Sequence, residues 1–149
     1  MADQSVPVSI IQADDGMVMI LSGPLKGEGQ DAPWMAGIRR PDGTWRTLSI
    51  EESIVRSQMS GPMPALHAGH QRYWLGGDRW RSNATLIDIS GDRVRVLARS
   101  PEPYATVLYA RPSGEALLAP FDPLNFHVDQ PLLRYRPDVL MELGIHVLP

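Results

Sequence analysis

Val6-Pro7-Val8-Ser9-Ile10-Ile11 and Met17-Val18-Met19-Ile20-Leu21 stand on either side of Asp14-Asp15-Gly16. Two short runs rich in β-branched residues, separated by a turn of Asp and Gly, specify an antiparallel hairpin. Gly supplies the positive φ that a tight turn demands, and Asp bonds its own downstream backbone. The same pattern recurs along the chain. Residues 34–40 and 45–50 flank Pro41-Asp42-Gly43; 71–75 and 78–82 flank Gly76-Gly77; 85–89 and 93–98 flank Ser90-Gly91-Asp92; 106–110 and 115–119 flank Pro112-Ser113-Gly114. Five such signals predict a mainly β fold, with α+β as the alternative: an antiparallel meander forming a barrel, a sandwich or a curved sheet.

Two short helices are expected beside the strands. Ser49 and Glu52 have the spacing of a capping box and would open a helix through Ile50, Ser53, Ile54 and Val55 that ends before Gly61-Pro62. Pro137, a favoured first helical residue, would open a second through Val139, Leu140 and Leu143, with Gly144 as its stop. Residues 145–148 read as a terminal strand, and the proline-rich stretch 120–137 as an extended strap over a sheet of this or a neighbouring chain.

Composition bounds the rest. The 149 residues form one β-rich domain by length, with enough apolar content, 43%, to bury a core. The absence of cysteine excludes disulfides, thiolate metal sites and a cysteine nucleophile. Gly and Pro number 13 and 14, in keeping with many turns. The net charge of −3 offers no global attraction to nucleic acid or an anionic membrane. The N-terminal residues lack the basic and apolar regions of a secretory signal, and the longest apolar run, 17–21, is far short of a membrane span. A soluble, cytoplasmic protein is expected. Arg40-Pro41-Asp42-Gly43 and Arg111-Pro112-Ser113-Gly114, each set between strand-like runs, raise a duplication of 1–75 in 76–149, or two blade-like units. Repeated use of one turn chemistry explains the match equally well.

Catalytic signatures are scarce. No nucleophile elbow, phosphate loop or dinucleotide fingerprint occurs, and Gly27-Glu28-Gly29 opens no helix. Asp14-Asp15 and Glu51-Glu52 are explained by a hairpin turn and a helix first turn. His127 and Asp129 share one side of a strand and, with His146 or His70, form a facial-triad-like set for a divalent metal. The plainer expectation is that these histidines bond to backbone and no cofactor is held.

The most distinctive stretch runs from 72 to 99, where six Arg oppose Asp78, Asp88 and Asp92. Arg93, Arg95, Leu97 and Arg99 fall on one face of a strand, and Val94, Val96 and Ala98 on the other. Across the Gly76-Gly77 turn, Arg72 and Tyr73 would approach Arg79, Trp80 and Arg81. Together with Trp74, these residues predict a surface of guanidinium and aromatic groups suited to a protein partner or self-association. Nucleic acid or a sugar is the alternative, and a solvated face the structural one. Trp34 and Trp45 are expected near one another across the Pro41-Asp42-Gly43 hairpin, as core or as a stacking platform. The function expected from all this is a non-enzymatic binding or assembly module, with a small metal-dependent enzyme and a nucleic-acid or carbohydrate binder as alternatives.

Overall fold

A computed structural model describes residues 5–24, 33–58, 64–77, 83–101, 104–120, 132–136 and 139–142. Its strands form three four-stranded antiparallel sheets, each assembled in chain order. Sheet 1 holds β1 (Ser5–Gln12), β2 (Val18–Pro24), β3 (Met35–Arg39) and β4 (Trp45–Ser49). Helix α1 (Glu52–Ser57) follows. Sheet 2 holds β5 (Leu66–His67), β6 (Arg72–Leu75), β7 (Thr85–Asp88) and β8 (Arg95–Arg99), and sheet 3 holds β9 (Tyr104–Ala110), β10 (Ala116–Pro120), β11 (Leu133–Arg136) and β12 (Val139–Glu142). The mainly β, antiparallel reading is therefore correct. The sheets stay open, which sets the barrel aside in favour of stacked layers. No helix among the described residues is long and apolar enough to cross a membrane.

Three of the turns share one construction. Ala13, Arg40 and Arg111 each donate a backbone N–H to the carbonyl four residues on and accept from the Gly three residues on, Gly16, Gly43 and Gly114. Those glycines have φ of 95°, 90° and 95°. The two Arg-Pro-x-Gly turns close the third hairpin of sheet 1 and the first of sheet 3. The 75/76 boundary falls between β6 and β7, inside sheet 2. The repeating unit of the structure is the four-stranded meander, present three times, the kind of unit from which propeller blades are made.

Alternation along the strands directs side chains into two cores. Ile11, Met19, Leu21, Ala36, Ile38 and Leu48 of sheet 1 pack with Ile54 and Val55 of α1 against Tyr73, Leu75, Ile87 and Ile89. On the opposite face of sheet 2, Trp74 and Leu86 join Tyr104, Ala116, Leu118 and Tyr135. Sheet 2 is thus the middle layer. Because β6 and β7 are covered on both sides, Tyr73-Trp74-Leu75 and Leu86-Ile87 read as unbroken apolar runs rather than as alternation.

Several local expectations are corrected. Residues 139–142 form β12, not a helix: Tyr135 pairs with Leu140 and Arg136 with Val139. Pro and Asp suit a strand-to-strand turn as well as a helix start, and the ladder bonds backbone that an isolated two-turn helix cannot secure. Helix α1 has Glu51 as its N-cap with no side-chain cap bond, so Ser49 forms no capping box. Ser49 instead ends β4. The strand pairing β6 is β7, with Leu75 opposite Thr85, so Gly76-Gly77 begins a wider connection rather than closing a tight hairpin. Gly77 donates its N–H to Ala105 of β9 at 2.7 Å, bonding sheet 2 to sheet 3. Residues 78–82 and 145–148, the Gly27-Glu28-Gly29 loop and most of the 120–137 strap lie outside the described residues; 133–136 of the strap form β11.

Candidate functional site

Among the described residues strand β8 is the outer strand of sheet 2, with β7 as its one neighbour in the sheet order. Exposure alternates along it, with Val94 buried, Val96 and Ala98 half-buried, and Arg93, Arg95, Leu97 and Arg99 exposed. A bulge nonetheless breaks the expected single face: Val96 pairs with Ile87 in one core and Ala98 with Leu86 in the other, so Arg95 and Arg99 lie on opposite faces of the sheet. Charged residues on an edge strand deter unselective pairing with other edges. Just before β8, Val94 donates its N–H to the Ser49 carbonyl at 2.8 Å, and Ser49 and Arg93 form a parallel bridge. From that point the chains of β4 and β8 diverge. They leave a groove of about 520 Å³, walled by Ser49, Ile50 and Glu51 on one side and residues 93–97 on the other.

The electrostatics of this groove are uneven. Arg95 reaches Asp88 Oδ2 at 3.2 Å, and Arg99 reaches Glu51 Oε2 at 3.0 Å. Asp88 is itself fixed, since Oδ1 accepts the Ser90 N–H at 3.2 Å and Oδ2 the Ser90 hydroxyl at 2.8 Å. Of the charged groups that line the groove, Arg95 and Glu51 are thus already paired, with Asp88 and Arg99, and Arg93 is the cation without an acidic partner among the described residues.

Other expected members of the surface are placed elsewhere. Tyr73 and Trp74 are 3% and 0% exposed, one in each core, so neither contributes to an exposed aromatic face. Strand alternation sends neighbours to opposite faces, and here both faces of β6 are covered. Tyr73 donates its hydroxyl to Asp15 Oδ2 at 2.7 Å. Burial, followed by this bond, raises its pKa above the ordinary tyrosine value. Arg72 is half-buried and pairs across the ladder with Asp88, as Tyr73 does with Ile87. Arg79, Trp80 and Arg81 lie outside the described residues.

The histidines are scattered in the same way. His70 stands in the left-handed region, φ 49°, and its carbonyl lies 2.7 Å from His67 Nε2. No group of three or more His, Asp or Glu side chains that could hold a metal ion occurs among the described residues. His127, Asp129 and His146 lie outside them. Asp14 and Asp15 do more than make a turn: Asp14 Oδ1 accepts the His67 N–H at 2.7 Å, while Asp15 Oδ1 accepts that of Met17 at 3.0 Å.

Trp34 and Trp45 are not neighbours. The ladder pairs Trp45 with Arg39, whereas Trp34 accepts the Ile50 N–H at the far end of the hairpin. Trp34 covers Gly23, where a Cβ would collide with its ring, and lies 5.9 Å beneath the Arg56 guanidinium. Trp45 is 57% exposed, so no paired platform forms.

Sequence reasoning missed the opposite wall of the groove. Glu51 meets Arg99 across 48 positions, and Ser49 meets Val94 through its carbonyl, contacts that no local spacing encodes. Comparison of the chain with models of known protein families, with curated proteins and with solved structures finds no match to any of them.

Proposed function

We propose that this protein is a non-enzymatic, cytoplasmic binding or assembly module whose groove between β4 and β8 receives an acidic segment of a protein partner. The observation that carries the reading is Arg93, without an acidic partner among the described residues, at a groove where Arg95 and Arg99 are already held by Asp88 and Glu51. A fixed pair contributes shape; a guanidinium with no acidic partner among the described residues is available for a bidentate contact with an incoming carboxylate. Exposed Leu97 adds apolar area beside it. A protein partner is favoured over nucleic acid or sugar because Tyr73 and Trp74 are committed to the cores and cannot stack on bases or rings.

The test is a photo-crosslinking residue at Leu97, with the same residue at Thr47 on sheet 1 as a control, in extracts of the source cells. A discrete protein adduct at Leu97 that disappears with Arg93→Glu is expected. An adduct indifferent to Arg93→Glu, or equal labelling from Thr47, would count against the groove.

A further inference from the structure

The groove also has a backbone side. Its floor is the outer edge of β8, and the chain already shows how that edge takes a neighbour. Ser49 lies parallel to Arg93, accepts the Val94 N–H at 2.8 Å, and then turns away into α1. One step of a parallel ladder is therefore made internally and stops. Backbone groups of alternate residues point to the same side of a strand, so the Val96 N–H faces outward as that of Val94 does. Among the described residues β8 has no strand partner beyond β7 to receive it. The ladder is further disturbed between Leu86 and Ile87, where the register against Ala98 and Val96 shifts by a residue on β8.

Resting on the groove reading above, we infer that the partner binds by strand addition: an extended acidic segment continues, along Val96, the parallel ladder that Ser49 begins. Main-chain bonds to the β8 edge hold the segment, and the side chains that alternate along it decide which segment is accepted. Glu and Asp in that segment would face Arg93, and an apolar residue would lie on Leu97. Arg95 is tied back to Asp88 of β7 and leaves the edge at Val96 clear, whereas the Arg99–Glu51 pair spans from β8 to the opposite wall and bounds the groove at that end.

The probe is a fluorescent peptide of alternating glutamate and valine, compared with the same peptide N-methylated at alternate amides. Methylation keeps every side chain and removes the ladder donors on one edge; methylating the other set of amides covers both orientations. Strand addition predicts that one methylated peptide binds about tenfold or more weaker than the parent, and that the parent slows hydrogen exchange at the Val96 amide. Arg93→Glu should weaken the parent by a similar factor. If both methylated peptides bind like the parent while Arg93→Glu still weakens all three, strand addition is wrong and the acidic groove stands. If binding ignores Arg93→Glu, the groove reading falls, whatever methylation does. If the parent does not bind at all, strand addition by this class of segment is overturned, and the Leu97 crosslinking decides the groove separately.

Discussion

The hydroxyl of Tyr73 donates to Asp15 across 58 positions of sequence, joining β6 of the middle sheet to the first turn of the chain at 2.7 Å. An unfolded tyrosine ionises near pH 10, whereas burial and this bond keep Tyr73 protonated to higher pH in the folded chain. The unfolded state therefore loses its proton first. The contribution is fully present below about pH 10 and declines as pH rises towards the folded value. Tyr73→Phe should cost about 1–2 kcal/mol at neutral pH and should lose stability less steeply above pH 10. Denaturant titrations of both proteins at pH 8 and pH 11 measure this. Parallel losses in the two would show that the bond does not govern the alkaline limb.

Asp88 and Arg95 form one ion pair but should respond unequally to truncation. Asp88 is 8% exposed and serves Ser90 twice, whereas Arg95 lies largely in solvent. Asp88→Ala is expected to cost about 2–3 kcal/mol through unsatisfied donors, and Arg95→Ala less than about 1 kcal/mol. Equal costs in a denaturation series would place the stability in the pair itself.

Gly16 and Gly69 have nearly the same backbone, φ 95° and 91°, in different surroundings. A Cβ at Gly16 meets open space, whereas one at Gly69 would collide with the Pro112 carbonyl. Gly16→Ala should therefore cost only the strain of the left-handed region, about 1 kcal/mol. Gly69→Ala adds a backbone clash and should cost clearly more, separating the β9–β10 turn from sheet 2. Thermal midpoints of the two variants measure the difference.

Trp74 meets Tyr135 edge-on, with ring centroids 5.1 Å apart and planes at 78°. Its indole nitrogen is buried and has no hydrogen-bond partner among the described residues. Trp74→Ala should cost about 3–5 kcal/mol. Trp74→Phe keeps an aromatic edge for Tyr135 and deletes the unsatisfied N–H, so its cost should be well below that of the alanine variant. Equal costs would mean that the full indole volume, rather than ring contact, holds sheet 3 in place.

Where structure followed local chemistry, the sequence was a sound guide. The Asp14-Asp15-Gly16 and Pro41-Asp42-Gly43 turns depend on residues within a few positions of one another, whereas the expected one-faced stripe of Arg93, Arg95 and Arg99 is broken by the bulge between Val96 and Ala98. Ambiguity entered where one residue type serves two structures. Pro137 suits a helix start or a strand connection, and only the pairing of Tyr135 with Leu140 decides between them. The site was half legible. Its cationic wall lies along one strand, but Ser49 reaches it from another sheet and Glu51 from the start of α1, and the burial of Trp74 depends on a layer that begins thirty residues later at Tyr104.

Each sheet is made of strands that follow one another in the chain, and this orders events in time. Every ladder joins strands consecutive in the chain, some over tight turns and the longest over the stretch from Pro120 to Leu133. The entropy lost in bringing partners together is therefore modest and the meanders can form early. The docking of layers must come afterwards, because it joins segments far apart in sequence. As the layer that both neighbours cover, β6 and β7 would be the last to open. The amides that bond Trp74 and Leu86 into their ladders should accordingly exchange with solvent more slowly than those of β1 or β12, as native-state hydrogen exchange can measure.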